Sequence, residues 1–257
     1  MLFRSTAKPM VLLVLLLLST QQYGHSYSIK VPLKGLIFDM DGTLIKSVID
    51  FPDMRRRIYK VATEDLKVPV QEGDILALAD TLSEKAQEIV KVILEDVEAK
   101  ALRDMELNTG MLELCSFLDQ QKIPRALLTR NVESSVEYMH KNKMSSIPCF
   151  QPAIARDTVD KGNILRPKPF PDAILHICQQ WQCDPSQVMM VGDSLQDDIV
   201  AANRAGCISV HISTGKDNDS GNANESAQEE RAPNIVIQSL PELQAILQMV
   251  CSSLPVV

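Results

Sequence analysis

The run Leu33 to Phe38 is short and apolar and ends in acids and a glycine, which predicts a buried parallel strand whose carboxyl end opens on a crevice. Runs of the same kind recur at Arg125 to Leu128, Val188 to Val191 and Ile208 to Ile212, each followed by polar or glycine-containing loop residues. Between them, apolar positions at helical spacing predict helices over Met111 to Gln121, Val132 to Asn142, Asp172 to Trp181 and Ile199 to Ala205. Strands alternating with helices predict an α/β fold with a doubly wound parallel sheet, in which ligands bind at the carboxyl ends of the strands. Residues 47–106 break the alternation. Asp53 to Ala62 and Thr81 to Met105 read as helices there, so 47–106 is expected to be a helical cap inserted into a core built from 27–46 and 107–257. Lys216 to Pro233 is polar and aperiodic and reads as a mobile surface loop. It holds sequons at Asn218 and Asn224, which a secretory route would make glycan sites.

The amino terminus has a different pattern. Arg4 and Lys8 precede a wholly apolar stretch from Met10 to Leu18, and Ser19 to Ser28 is polar. Residues 1–26 are therefore expected to be a signal or targeting peptide, with Gly24 and Ser26 as small residues near a cleavage point. The apolar stretch falls short of the roughly 20 residues needed for a bilayer crossing, so no stable membrane span is expected. The secretory pathway or the extracellular space is the expected location, with a plastid or mitochondrial leader as the alternative.

Composition narrows the partners. The chain has 257 residues, 45% of them hydrophobic, enough for a substantial core, and a formal charge of -7. Loss of Arg4 and Lys8 with the leader would take 26 basic residues to 24 against 33 acids, or -9, and nucleic acid is not an expected partner. A small phosphorylated metabolite remains compatible, since one metal ion and one lysine reverse the field inside a cleft. The sequence leaves oligomeric state open. Six cysteines are expected to be free thiols, Cys115, Cys178 and Cys207 among apolar or small neighbours, and no Cys/His cluster suggests zinc.

The chemistry lies at the strand ends. Asp39 and Asp41 follow the first strand, and Gly42 and Thr43 after them permit a tight turn in which backbone amides approach an anion. By themselves these acids read equally well as caps of a turn. Asp193, Asp197 and Asp198 follow another apolar strand, with Gly192 and Ser194 flanking the first of them. Like charges at adjacent strand ends are costly unless a cation lies between them, and magnesium suits a set of hard oxygen ligands.

Taken in order, Asp39-Met40-Asp41-Gly42-Thr43, Leu128-Thr129-Arg130-Asn131, Arg166-Pro167-Lys168-Pro169-Phe170-Pro171-Asp172 and Val191-Gly192-Asp193-Ser194-Leu195-Gln196-Asp197-Asp198 resemble the four motifs of the haloacid dehalogenase superfamily. The likeness spans residue 33 to about 248 and is greatest to the phosphoglycolate phosphatase and β-phosphoglucomutase-like branch, whose Rossmann-like core carries a helical cap after the first motif. The resemblance implies that Asp39 is the nucleophile, forming an aspartyl-phosphate, and that Asp41 is the general acid and base. It implies a phosphate clamp in which Thr129 offers its hydroxyl and backbone amide and Lys168 its charge, with Gly42, Arg130 and Asn131 as further phosphate or substrate contacts. Magnesium would be held by Asp39, a backbone carbonyl at Asp41, Asp193 and Asp198, with Asp197 as the alternative to Asp198. Asp41 counts against the dehalogenase reaction, whose pattern lacks the second acid. The resemblance thus implies a magnesium-dependent phosphatase acting on a small phosphorylated metabolite; a sugar phosphomutase and a non-catalytic binding protein on the same fold are the alternatives.

Overall fold

The computed structural model describes residues 12–19, 26–46, 51–67, 78–160, 162–213 and 225–252. The chain divides into two compact units, Met1–Lys46 with Leu107–Val257, and Ser47–Glu106.

The first unit opens with β1 (Leu12–Ser19) paired antiparallel to β2 (Ser26–Leu33). The apolar stretch read as a leader thus lies largely in β1, and the first core strand is shorter than expected, β3 (Gly35–Phe38), because Leu33 ends β2. Next come α1 (Phe51–Leu66) and α2 (Glu84–Arg103) of the second unit, then α3 (Met111–Gln120), β4 (Arg125–Leu128) and α4 (Glu133–Asn142). The chain continues through β5 (Ala153–Ile154), a small antiparallel pair β6 (Val159–Asp160) and β7 (Asn163–Ile164), α5 (Asp172–Trp181) and β8 (Val188–Gly192). A π-turn (Leu195–Ile199) leads into α6 (Val200–Ala205), followed by β9 (Ile208–Ile212), α7 (Glu225–Glu230), β10 (Ile235–Ile237) and α8 (Leu240–Ser252).

Six strands form one parallel sheet in the order β10-β9-β8-β3-β4-β5. The four strands expected from the sequence lie at its centre. β5 and β10 were not expected, because runs of two and three residues are too short to carry a periodic signal. Alternate strand residues face opposite sides of a sheet. Ile37, Ala126, Leu128, Val188 and Met190 form one core with Ala173, Ile174 and Ile177 of α5 and Ala201, Ala202 and Ala205 of α6. Leu36, Phe38, Leu127, Met189 and Val191, of the other parity, are equally buried. Both faces are therefore covered, as a doubly wound sheet requires.

One expectation fails in the stretch 216–233, which is not loop throughout. Glu225–Glu230 is helical, and Arg204 of α6 explains why its end is fixed: Nε and Nη2 meet the two Glu230 carboxylate oxygens at 3.1 and 2.7 Å. Asn203 adds hydrogen bonds from Nδ2 to the Glu230 and Ala232 carbonyls. Both sequons, at Asn218 and Asn224, lie outside the described residues, as do Gly24 and the chain before Leu12. Cys115, Cys149, Cys178, Cys183 and Cys207 are free thiols.

In the second unit α1 and α2 share an apolar core. Met54, Ile58 and Ala62 recur every four residues on α1 and pack with Ala86, Val90 and Ile93 of α2. Ser83 caps α2, its hydroxyl accepting from the Ala86 amide, while the Asp65 carboxylate accepts from the Ser83 amide at 2.8 Å.

Candidate active site

β3 is buried on all sides and ends at Asp39, whose amide still donates to the Val191 carbonyl of β8 at 2.9 Å. The chain then turns sharply, with the Leu44 and Ile45 amides both donating to the Met40 carbonyl at 2.9 Å. Gly42 takes a φ of +74°, and a side chain there would overlap the Asp193 carboxylate, so glycine is needed for both conformation and room. Asn108 clamps the turn from outside: its Nδ2 donates to the Gly42, Thr43 and Ile45 carbonyls at 3.2, 2.8 and 3.3 Å, and its amide donates to the Leu44 carbonyl. Sequence reasoning missed this residue. Its only signal was the Asn-Thr-Gly composition before α3, which reads as an ordinary turn.

Lys168 reaches the acids from the loop before α5. That loop braces itself, with Arg166 Nε bonded to Asp172 Oδ1 at 2.9 Å and the Arg166 guanidinium 4.3 Å from the centre of the Phe170 ring. The Lys168 side chain is 3% exposed, and its ammonium donates to Asp39 Oδ1 and, at 2.5 Å, to Asp198 Oδ1. Burial alone would lower its pKa, but Asp198 and Asp39 outweigh it and hold the lysine charged, above its ordinary value. Asp39 is pushed well above the carboxylate range, chiefly by burial; Lys168 opposes the shift, and Asp198 and Asp193 reinforce it. Asp193 rises to about 7, again through burial first and the Asp198 charge second.

Asp39, Asp193 and Asp198 each offer a carboxylate oxygen within 4.8 Å of the others. With one ammonium among three carboxylates, two negative charges remain uncompensated when all are ionised. Burial, reinforced by the neighbouring carboxylates, raises Asp39 and Asp193, and a divalent cation with oxygen preference fits the surplus in charge and in ligand chemistry.

The turn after β8 places Asp198, rather than Asp197, beside Asp39 and Asp193. Ile199 donates its amide to the Ser194 carbonyl five residues back, at 3.2 Å, which widens the turn by a residue relative to an α-helix. Asp198, 1% exposed, is thereby the acid returned to the site, where its Oδ2 accepts from the Ser194 amide at 3.1 Å. Gly192 is required beneath it, because a side chain there would overlap the Asp198 carboxyl. Asp197 faces outward and pairs with Arg130, Nη1 to Oδ2 at 3.0 Å.

The loop after β4 departs from expectation in one respect. Thr129 is buried, but its backbone amide donates to the Ile154 carbonyl at 2.9 Å, because β4 pairing with β5 runs on through it. The amide is committed to the sheet, leaving the hydroxyl, which accepts from the Asn131 amide at 3.1 Å and keeps its own proton to donate. Asn131 Nδ2 donates to Asp41 Oδ2, which makes Asn131 a partner of the second acid in this structure. Asp41 is raised above the ordinary carboxylate range by burial, against the lowering effect of that bond.

Asp39, Lys168, Asp193 and Asp198 are thus joined in one cluster, Asp41 is linked to it through the same turn, and Arg130 and Asp197 pair at its edge. The family model for haloacid dehalogenase-like hydrolases matches residues 33–206, from the last residue of β2 to just past α6. A haloacid dehalogenase-like hydrolase domain-containing protein of Arabidopsis thaliana is 37% identical over 85% of this chain and 85% of its own length. A phosphoglycolate phosphatase of Aliivibrio fischeri is 27% identical over 84% of this chain and 97% of its own. The crystal structure of a hydrolase from Pseudomonas syringae shares the fold, with a TM-score of 0.58 at 20% identity over 85% of this chain and 99% of that one. By sequence and fold together, the chain belongs to the haloacid dehalogenase-like hydrolases.

Proposed function

We propose that this protein hydrolyses a small phosphorylated metabolite with magnesium, through an aspartyl-phosphate on Asp39. It is a phosphoric monoester hydrolase, with phosphoglycolate phosphatases and an N-acetylmuramic acid 6-phosphate phosphatase among its relatives. The observation that carries the finer reading is the surplus of negative charge around Asp39, Asp193 and Asp198, answered in part by the buried Lys168. Asp39, Asp193 and Asp198, with the backbone carbonyl of Asp41, would hold the ion, which supplies charge neutralisation between carboxylate and phosphoryl oxygens.

Asp39 attacks phosphorus, forming an acyl-phosphate bond as the ester P–O bond breaks. Asp41 gives its proton to the departing oxygen, a task for which burial has raised its pKa and Asn131 has fixed its orientation. Water, giving a proton to Asp41, then attacks phosphorus as the bond between Asp39 and the phosphoryl group breaks, releasing inorganic phosphate and restoring both acids. Lys168 and the Thr129 hydroxyl stabilise the charge that develops on the phosphoryl oxygens, and Lys168 holds Asp39 in place throughout.

The test is phosphate release from an aryl phosphate and a panel of phosphorylated metabolites by purified protein with magnesium. Turnover is expected, and Asp39→Asn should lower it by about a thousandfold or more. Absence of turnover across the panel would sink the reading. Isomerisation of a sugar phosphate that depends on a bisphosphate activator would replace it with a mutase. Targeting by residues 1–26 belongs to the same proposal: a processed amino terminus near Tyr27 supports the secretory route, and a mature protein retaining Met1 refutes cleavage.

A further inference from the structure

The sheet order gives the Arg130–Asp197 pair its meaning. β3 lies between β8 and β4, so side chains that join the loops after β4 and β8 meet across the end of the strand that delivers Asp39. Arg130 follows Thr129, and Asp197 precedes Asp198, so each partner is one residue from a group of the site. Their side chains are 45% and 27% exposed. Ion pairs of that exposure contribute too little to be what holds the loops. The loops have other anchors: the Ser194 hydroxyl accepts from the Asp197 amide at 3.1 Å, Asp198 is bonded to Lys168, and Asn131 to Asp41. What the pair provides is a cation at the rim of an acidic site, held to its counter-ion through one nitrogen.

The geometry points to Arg130 as a specificity residue that exchanges Asp197 for a second anionic group on the phosphate monoester, a carboxylate or another phosphate. This rests on the phosphatase reading. A guanidinium binds such groups in bidentate fashion, with two parallel hydrogen bonds against the one it makes to Asp197, so the exchange is favourable once the ester is anchored at Asp39. Asp197 is the internal competitor. It orients Arg130 in the absence of substrate and gives no comparable contact to esters with neutral tails.

The deciding experiment measures equilibrium binding to the full chain carrying Asp39→Asn, in magnesium. Phosphoglycolate provides a carboxylate, fructose 1,6-bisphosphate a second phosphate, and phenyl phosphate a neutral tail. Adding Arg130→Ala should lower the affinity for an anionic-tailed probe relative to phenyl phosphate by about tenfold, and Arg130→Lys should recover part of it. Adding Asp197→Asn should raise the same ratio severalfold. A response with only one anionic probe supports the exchange and identifies the group. Ratios that stay within about twofold in both variants overturn it, as does the absence of binding by every probe. In the protein with Asp39 intact, the ratio of KM values should move while the ratio of kcat values does not. Missing turnover there would count against the phosphatase reading, whereas turnover with unmoved ratios would count against Arg130 alone.

Discussion

Lys168 is the residue on which the electrostatics of the site turn. An ammonium buried to 3% exposure would be costly by itself, and it is kept charged by Asp198 and Asp39. The dependence is mutual, since removing one partner of a buried ionic group leaves the other uncompensated, at a cost of about 3–5 kcal/mol. Lys168→Met is therefore expected to lower phosphate release by about a hundredfold or more and also to lower the metal-free melting temperature. A variant that loses activity while its melting temperature stays at the wild-type value would show that Asp39 and Asp198 do not need the lysine as a counter-charge. In the sequence Lys168 was recognisable only through the prolines around it. Its burial, and its bond to Asp198 from a loop 30 residues away, come from packing.

At the scale of elements, the strand ends supply the groups and the turns select among them. β3 and β8 were legible as apolar runs ending in acids, but the π-turn after β8 was not, because a widened turn leaves no mark in a hydrophobic pattern. That turn buries Asp198 and leaves Asp197 at the surface. Asp198→Asn should accordingly lower turnover of an aryl phosphate by about a hundredfold and weaken magnesium binding, while Asp197→Asn stays within about fivefold. Equal losses from the two substitutions would mean that the turn does not discriminate between the acids. Thr129 teaches a related lesson: its amide was expected at the phosphate, but β5, two residues long, claims it for the sheet.

For the molecule as a whole, the same acids couple the site to stability. The Asp193 carboxyl titrates near 7 in the folded protein, against about 3.9 in an unfolded chain. Between those values the folded state keeps a proton that the unfolded state has released, so the metal-free protein loses stability as pH rises from about 4 to 7. Asp39, also raised by burial, acts in the same direction. Magnesium requires the ionised carboxylates, so its stabilising effect should grow over the same window. Thermal denaturation is expected to give a melting temperature that falls between pH 5 and 8 without metal, and a gain from saturating magnesium that is larger at pH 8 than at pH 5. A gain that is flat or shrinks with pH would show that these carboxyls are not the ligands.

The sequence by itself determined the α/β class and the central strands, because buried parallel strands must be apolar and their ends must turn. It also separated 47–106 from the rest, since helical periodicity replaces the alternation there. The tertiary structure decided which acid of the Asp197-Asp198 pair enters the site, that Asn108 holds the first turn, that the Thr129 amide is committed, and that Arg130 spans the end of β3. Each of these depends on a contact between segments far apart in the chain, and local pattern carries no information about which distant carbonyl or carboxylate a side chain will meet.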